Sequence, residues 1–156
     1  MTNRTISDSI LFLDIDGVMN TTDSALRHKG AHVFTPAAVN GLRAIIRATR
    51  CVIVISSTRR RDGAAAMRQL FMRNGLITEA GHLTSHTPIL TDSDTDDLRE
   101  DEIGKWIDDH NFHGNFAILD DKPLSGPMRR HLVLTDHDAG LTPLLAARVI
   151  TLLMGN

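Results

Sequence analysis

Two aspartates separated by one residue follow a short apolar run near the start of the chain. The run covers Ile10 to Leu13, the carboxylates belong to Asp14 and Asp16, and Gly17 comes next. A short apolar run of this kind predicts a buried strand, which here ends at the two acids. In an open α/β sheet, ligands bind at the carboxyl ends of the strands. Two carboxylates at that edge can ligate a hard cation, and one of them can serve as a nucleophile toward phosphorus.

Two further predicted strands also end in polar residues. The strands cover Val52 to Ile55 and Phe116 to Leu119. The polar residues that follow them are Ser56, Ser57, Thr58 and Arg59 after the first strand, and Asp120 and Asp121 after the second. If the strands are parallel neighbours, their ends meet at one edge of the sheet. Phosphoryl transfer needs such a set, because it uses a nucleophile, an oxygen-ligated Mg²⁺, hydrogen-bond donors and a proton donor.

The elements that must position these residues alternate between strands and helices. Helical spacing of apolar residues predicts helices over 36–49, about 62–74, about 99–110 and from 143 onward, and 131–134 predicts a last strand. Thr35-Pro36 and Thr142-Pro143 are typical helix starts, and we expect Asp62 to cap the second helix. Residues 19–34 are predicted to form a loop. This alternation predicts a doubly wound, mainly parallel α/β sheet, within a single domain over residues 1–156.

Composition narrows the classes of protein. The chain has 156 residues, a net charge of −2, one cysteine and 42% hydrophobic residues. A single cysteine cannot form an internal disulfide, and neither a signal peptide nor an apolar run of ~18 residues is present. We therefore expect a cytoplasmic protein with no membrane segment.

The charges are unevenly distributed along the chain. Eight arginines and one acid lie between Arg43 and Arg73, whereas nine acids and two bases lie between Asp92 and Asp109. Both segments are compatible with solvated faces. The alternative is that the arginine-rich side, especially Arg59 and Arg60, receives phosphates, including those of a nucleic acid.

Two histidine and aspartate patterns imitate metal sites. Asp92, Asp94 and Asp96 have the spacing that begins a calcium loop, but the required glycine and final glutamate are missing. His28 and His32 have the spacing of a zinc helix without its glutamate. We assign no metal to either pattern, and we expect the polar stretch 91–97 to be mobile.

The strand-end motifs resemble those of the haloacid dehalogenase-like (HAD) superfamily of Mg²⁺-dependent phosphohydrolases. The first motif is Asp14-Ile15-Asp16-Gly17-Val18, the second is Ser56, and the fourth is Ile118-Leu119-Asp120-Asp121. The third, normally a lysine, falls on Arg99, which we favour, or on Lys105 about two turns further on. The chain is most similar to the small HAD domains of Swiss Army Knife RNA-repair proteins. The segments that carry this narrower resemblance are 99–103, Trp106, 118–121, 134–136 and 140–142.

The resemblance implies a role for each residue. It implies that Asp14 attacks phosphorus and that Asp16 first protonates the leaving oxygen and then activates water. Ser56 would donate to the phosphoryl group, and Arg99 or Lys105 would offset its charge. The remaining implied contacts are substrate binding by Ser57, Thr58, Arg59 and Arg60, and Mg²⁺ binding by Asp14, by the main-chain carbonyl of Asp16, and by Asp120 or Asp121.

These implications give the expected function. The chain is expected to be a Mg²⁺-dependent phosphomonoesterase with an aspartyl-phosphate intermediate. The gaps between motifs leave no room for a full cap domain, so an open site suited to phosphorylated RNA or DNA ends, or to nucleotides, is expected. One alternative is a non-catalytic HAD-like module that binds phosphate, RNA or a protein. A second is a receiver-type signalling domain, which is disfavoured because its middle strand would end in an acid rather than Ser56.

Overall fold

Five parallel strands form the centre of the fold in the computed structural model, which describes residues 8–27, 33–90 and 98–156. The strands are β1 (Ser9–Leu13), β2 (Val52–Ile55), β3 (Leu83–His86), β4 (Asn115–Asp120) and β5 (Leu132–Leu134). Their order is β3-β2-β1-β4-β5, and every neighbouring pair is parallel. The predicted fold class is confirmed. The order also excludes the receiver-type alternative, because receiver domains have the order 2-1-3-4-5.

Helices cover both faces of the sheet. The described residues form α1 (Thr22–Arg27), α2 (Pro36–Thr49), α3 (Ala64–Arg73), α4 (Arg99–Asp109) and α5 (Pro143–Leu153). Strand side chains alternate between the two faces. On one face, Phe12 and Ile118 pack with Ile103 and Trp106 of α4. On the opposite face, the other set of strand residues forms a larger core with α2, α3 and α5.

The two predicted Thr-Pro helix starts are confirmed. The Thr35 hydroxyl accepts a hydrogen bond from the Ala38 N–H at 3.2 Å, and Pro36 is the first residue of α2. The Thr142 hydroxyl accepts from the Leu145 N–H at 3.3 Å at the start of α5. In both cases the hydroxyl satisfies one of the N–H groups that lack a partner inside the helix.

Helix α1 corrects the prediction that residues 19–34 form only a loop. Thr21 and Ser24 cap its start reciprocally: the Ser24 N–H donates to the Thr21 hydroxyl at 3.1 Å, and the Thr21 N–H donates to the Ser24 hydroxyl at 2.9 Å. This pattern is a variant of the capping box. The helix has no buried residue, so hydrophobic spacing could not reveal it. His28 and His32, and the stretch 91–97, lie outside the described residues.

The predicted cap at Asp62 is wrong. Residues Thr58–Asp62 form a 3₁₀ turn, and Gly63 precedes α3 without a side-chain cap. The turn begins because the Ser57 hydroxyl accepts from the Arg59 N–H at 3.2 Å, which places Asp62 inside the turn. Gly63 then redirects the chain at φ +89°, a conformation that suits glycine.

No helix in the described ranges is long and apolar enough to cross a membrane. Between β1 and β4, the described residues form only helices α1–α4, strands β2 and β3, and short turns. They contain no full cap domain, as expected.

Candidate active site

The register of the sheet places three of the predicted site residues level with one another. Leu13 of β1 is paired with residues of both β2 and β4. Backbone hydrogen bonds continue this register by one position. The Ser56 N–H donates to the Leu13 carbonyl at 2.9 Å, and the Asp14 N–H donates to the Leu119 carbonyl at 3.0 Å. Asp14, Ser56 and Asp120 therefore form one row across the edge of the sheet.

This row faces helix α4. Asp14 follows Phe12 by two positions and Asp120 follows Ile118 by two, so both acids continue the strand face that packs against α4. Arg99, the first residue of α4, is almost fully buried at this face. Helix α4 therefore closes one side of the row and supplies a cation to it.

Arg99 contacts both acids of the row. One of its Nη atoms hydrogen bonds to Asp120 Oδ2 and lies 3.8 Å from Asp14 Oδ1. The structure does not bring Lys105 to this cluster. The Lys105 Nζ instead contacts both carboxylate oxygens of Asp109, at 2.8 and 3.0 Å, in an exposed i, i+4 pair. Of the two basic residues proposed for the third motif, Arg99 is the one at the row.

Three carboxylates at the ends of β1 and β4 are close enough to share a metal ion. Asp14, Asp120 and Asp121 each offer an oxygen within 4.8 Å of the others. Burial, followed by the charge of Asp120, raises the pKa of Asp14 well above its usual value, and Arg99 opposes this shift. Burial likewise raises the pKa of Asp120 against the effect of Arg99. The charge of Arg99 therefore does not balance the acids, and a hard divalent cation fits this all-oxygen donor set.

Gly17 leaves room for the third carboxylate. Its φ is +80°, and a Cβ at this position would overlap the Asp121 carboxylate. The Thr135 hydroxyl, just after β5, also donates to the Gly17 carbonyl at 2.8 Å. The glycine of the first motif thus allows Asp121 to approach the end of β1.

Asp16 occupies a different position from Asp14. Its side chain is 48% exposed. Its two carboxylate oxygens accept from Nε and Nη2 of Arg59, each at 2.9 Å. Asn20 Nδ2 donates to the same carboxylate at 3.0 Å, and the Asn20 side-chain carbonyl accepts from the Gly17 N–H at 3.0 Å. Arg59 and Asn20 therefore hold the Asp16 carboxylate in place. Metal binding through the main-chain carbonyl of Asp16 stays a prediction.

The residues that follow β2 differ in their burial and in their hydrogen-bond partners. Ser56 Oγ is buried and has no hydrogen-bond partner among the described residues. Ser57 is buried and caps the 3₁₀ turn, whereas Thr58 is exposed. Arg60 is also buried, and it pairs with Glu102 of α4. The structure therefore does not present Arg60 at the surface as a substrate ligand.

Sequence reasoning missed Asn20, Thr135 and Glu102 as parts of this arrangement. Asn20 lies four residues after Asp16, which is within the range of local side-chain hydrogen bonds. Thr135 follows the last strand, and its position at a strand end could have placed it at the ligand-binding edge of the sheet. Glu102 lies one turn after Arg99 within the segment that carries the family resemblance, but its pairing with Arg60 depends on packing between distant segments.

The sheet order, the row of acids and the buried arginine define a HAD-type α/β domain. The family described as the HAD domain in Swiss Army Knife RNA repair proteins matches residues 10–145 of the chain, and the chain belongs to this family. The predicted family resemblance is thereby confirmed. No curated protein and no solved structure matched the chain.

Proposed function

We propose that this chain is a Mg²⁺-dependent phosphomonoesterase in which Asp14 carries the phosphoryl group. The observation that carries the proposal is the row itself. Asp14 lies between the Ser56 hydroxyl and Asp120, with Asp121 and Arg99 within contact range of the acids. This arrangement offers a nucleophile, a hydroxyl donor, metal ligands and a fixed positive charge at one strand edge.

The reaction would proceed in two displacements at phosphorus. Asp14 attacks the phosphoryl group, a bond forms between its carboxylate and phosphorus, and the bond to the leaving oxygen breaks while Asp16 supplies a proton. Asp16 then takes a proton from water, whose oxygen displaces Asp14 and releases inorganic phosphate. Mg²⁺ held by Asp14, Asp120, Asp121 and the Asp16 carbonyl would supply charge neutralisation. Ser56 donates to a phosphoryl oxygen, and the charge of Arg99 opposes the rise in the pKa of Asp14 and so favours its ionised form.

Arg59 must change partner for Asp16 to act. The guanidinium occupies both carboxylate oxygens of Asp16, each 2.9 Å from an Arg59 nitrogen, so this pair must open before an Asp16 oxygen can come within hydrogen-bond reach of the leaving oxygen. The guanidinium fork fits two phosphate oxygens as well as it fits a carboxylate. A substrate phosphate that takes Arg59 would therefore release Asp16 for proton transfer.

The proposed substrate is a phosphorylated RNA end. The family description points to RNA repair. The half-exposed Asp16 and the exposed Thr58 leave the described part of the site open to a large molecule. Aromatic residues make up 4% of the chain, so extensive base stacking is not expected. Phosphate contacts should dominate binding, and activity on an oligonucleotide should fall as salt rises.

Phosphate release from a substrate panel tests this function. The panel contains an aryl phosphate, mononucleotides, and RNA and DNA with a 3′- or 5′-phosphate, each with and without Mg²⁺. We expect Mg²⁺-dependent phosphate release that is fastest on RNA ends and is lost in Asp14→Asn. Release from the aryl phosphate alone, unaffected by salt, would contradict the RNA substrate but not the phosphatase.

The Arg59–Asp16 pair favours one alternative. If Arg59 never leaves Asp16, the domain has no proton donor and acts as a module that binds phosphate or RNA. Binding of phosphorylated RNA without any phosphate release would support this alternative over the enzyme.

A further inference from the structure

Thr87 extends the row on the far side of Ser56. In the β2–β3 pair, Ile55 is level with His86. The Thr87 N–H donates to the Ile55 carbonyl at 2.9 Å, which continues the parallel ladder by one position. Thr87 is therefore level with Ser56, just as Ser56 is level with Asp14.

Thr87 and Ser56 also face the same side of the sheet. Ser85, two positions before Thr87, accepts a hydrogen bond from Trp106 Nε1 of α4 at 3.0 Å. Val54, two positions before Ser56, belongs to the core cluster that contains Trp106. Since side chains alternate along a strand, Ser56 and Thr87 both follow residues directed toward α4.

The two hydroxyls share an uncommon environment. Both residues are 0% exposed. Neither Ser56 Oγ nor Thr87 Oγ1 has a hydrogen-bond partner within the described ranges. Buried hydroxyls without a partner are rare in folded proteins, because they lose their bonds to water without replacement. Two such hydroxyls at neighbouring positions, on the sheet edge that carries Asp14 and Asp120, indicate that they serve a bound ligand.

We propose that Thr87 is a positioning residue that orients the hydroxyl of Ser56 toward a tetrahedral oxyanion. The Thr87 hydroxyl donates a hydrogen bond to Ser56 Oγ, and the Ser56 hydroxyl donates a hydrogen bond to a phosphoryl oxygen. Adjacent strands lie ~4.8 Å apart, so rotation about χ1 brings the two hydroxyls within bonding distance. Thr87 itself is two strand spacings, about 10 Å, from Asp14, which is too far for contact with the transferred group. This inference rests on the proposed function.

Binding of inorganic phosphate to the full chain in the presence of Mg²⁺, measured by calorimetry, tests the inference. Thr87→Val should weaken binding about fivefold to tenfold, because the donor to Ser56 is lost. Thr87→Ser keeps a hydroxyl and should bind as the wild type does. In a Ser56→Ala background, Thr87→Val should cause no further loss, because the residue acts through Ser56.

Ser85→Ala is the matched control. It removes a hydroxyl from the same strand and face, but one that has a protein partner. It should lower the melting temperature and leave phosphate affinity unchanged. Thr87→Val should weaken phosphate binding without lowering the melting temperature, because its hydroxyl has no protein partner to lose.

The inference is overturned if Thr87→Val binds phosphate as tightly as the wild type, or if the wild type binds no phosphate. It is also overturned if Thr87→Val reduces phosphate affinity as much in the Ser56→Ala background as in the wild type. If Thr87→Val does not fold, the comparison of Thr87→Ala with Thr87→Ser decides in the same way. A wild type that binds phosphate with this pattern of variants but hydrolyses no ester would contradict the proposed function alone.

Discussion

Arg59, which follows β2, and Asp16, which follows β1, form a two-point ion pair. Arg59 Nε contacts Asp16 Oδ2 and Nη2 contacts Oδ1, each at 2.9 Å. Arg59 is held there by the 3₁₀ turn that begins at the end of β2, where the Ser57 hydroxyl accepts its N–H. The proposed proton donor is therefore linked to the loop after Ser56, and this link must open during turnover.

Replacing Arg59 should impair substrate binding more than folding. We expect Arg59→Gln to raise KM for a phosphorylated oligonucleotide about tenfold or more, because a bidentate phosphate ligand is lost. The free energy of unfolding should fall by only about 0–1 kcal/mol, since the pair is partly exposed. Steady-state kinetics and thermal melting measure the two effects. Arg148→Gln, an exposed residue of α5 on the opposite face, removes the same charge and should change neither. An unchanged KM in Arg59→Gln would argue against phosphate binding by Arg59.

The two candidates for the third motif can be separated by parallel substitutions. Arg99→Met should reduce kcat by at least about 100-fold, because the cation that contacts Asp14 and Asp120 is lost. Lys105→Met removes an exposed partner of Asp109 and should leave kcat within about twofold of the wild type. Both variants are checked for folding by circular dichroism. Comparable losses in the two variants would contradict the assignment of Arg99.

In the absence of metal, the buried acids predict that the stability of the fold decreases as pH rises. Burial raises the folded-state pKa of Asp14 and Asp120 above their unfolded values. Such groups stabilise the fold fully below the unfolded pKa of about 4, and this stability is lost as pH rises through the raised pKa. In a chelator, the melting temperature should therefore fall from about pH 4 upward because of these groups. Added Mg²⁺ should stabilise the protein more at higher pH, since only ionised carboxylates bind it.

Asp14→Asn provides the control for this pH profile. It removes one buried charge, so the chelator-treated variant should melt at the same or a higher temperature than the wild type near neutral pH. Its stabilisation by Mg²⁺ should be largely lost. A wild-type melting temperature that is indifferent to Mg²⁺ at every pH would show that the three acids do not form a metal site.

The Arg60–Glu102 pair links the loop after β2 to the helix that carries Arg99. Arg60 Nη1 also donates to the Ser57 carbonyl at 2.8 Å, and the Leu90 N–H donates to Glu102 Oε2 at 3.2 Å. Because both side chains are buried, removing one leaves an uncompensated charge. Arg60→Met and Glu102→Gln should each destabilise the fold by about 3–5 kcal/mol in denaturant melts. The double variant should lose less than the sum of the two, and strict additivity would contradict the coupling.

Strands β1, β2, β4 and β5 and the strand-end residues were predictable because they depend on local patterns. The apolar run before Asp14 and the β-branched run before Ser56 each specify a buried strand, and parallel strands bring their carboxyl ends to one edge. The Thr-Pro pairs before α2 and α5 specify helix starts through capping alone. These signals lie within a few residues of the element that they define.

Side-chain pairing between distant segments was not predictable. Whether Arg60 points to solvent or to Glu102 depends on how α4 packs over β2, and a run of three arginines reads as a solvated surface. The same holds for Thr87, whose importance depends on the β2–β3 register rather than on its neighbours along the chain. The 3₁₀ turn that displaced the expected cap at Asp62 arises from the Ser57 hydroxyl, which competes with Asp62 for the helix start.

A covalent phosphoryl group on Asp14 is the intermediate that the proposed phosphatase mechanism requires. The protein is mixed with labelled, phosphorylated RNA and Mg²⁺, quenched in acid and analysed by mass spectrometry of its peptides. We expect a hydroxylamine-sensitive phosphoryl group on the peptide that contains Asp14, and we expect it to be absent from both Asp14→Asn and the Mg²⁺-free reaction. Phosphate release by Asp14→Asn at the wild-type rate, or turnover with the label on another residue, would contradict this mechanism.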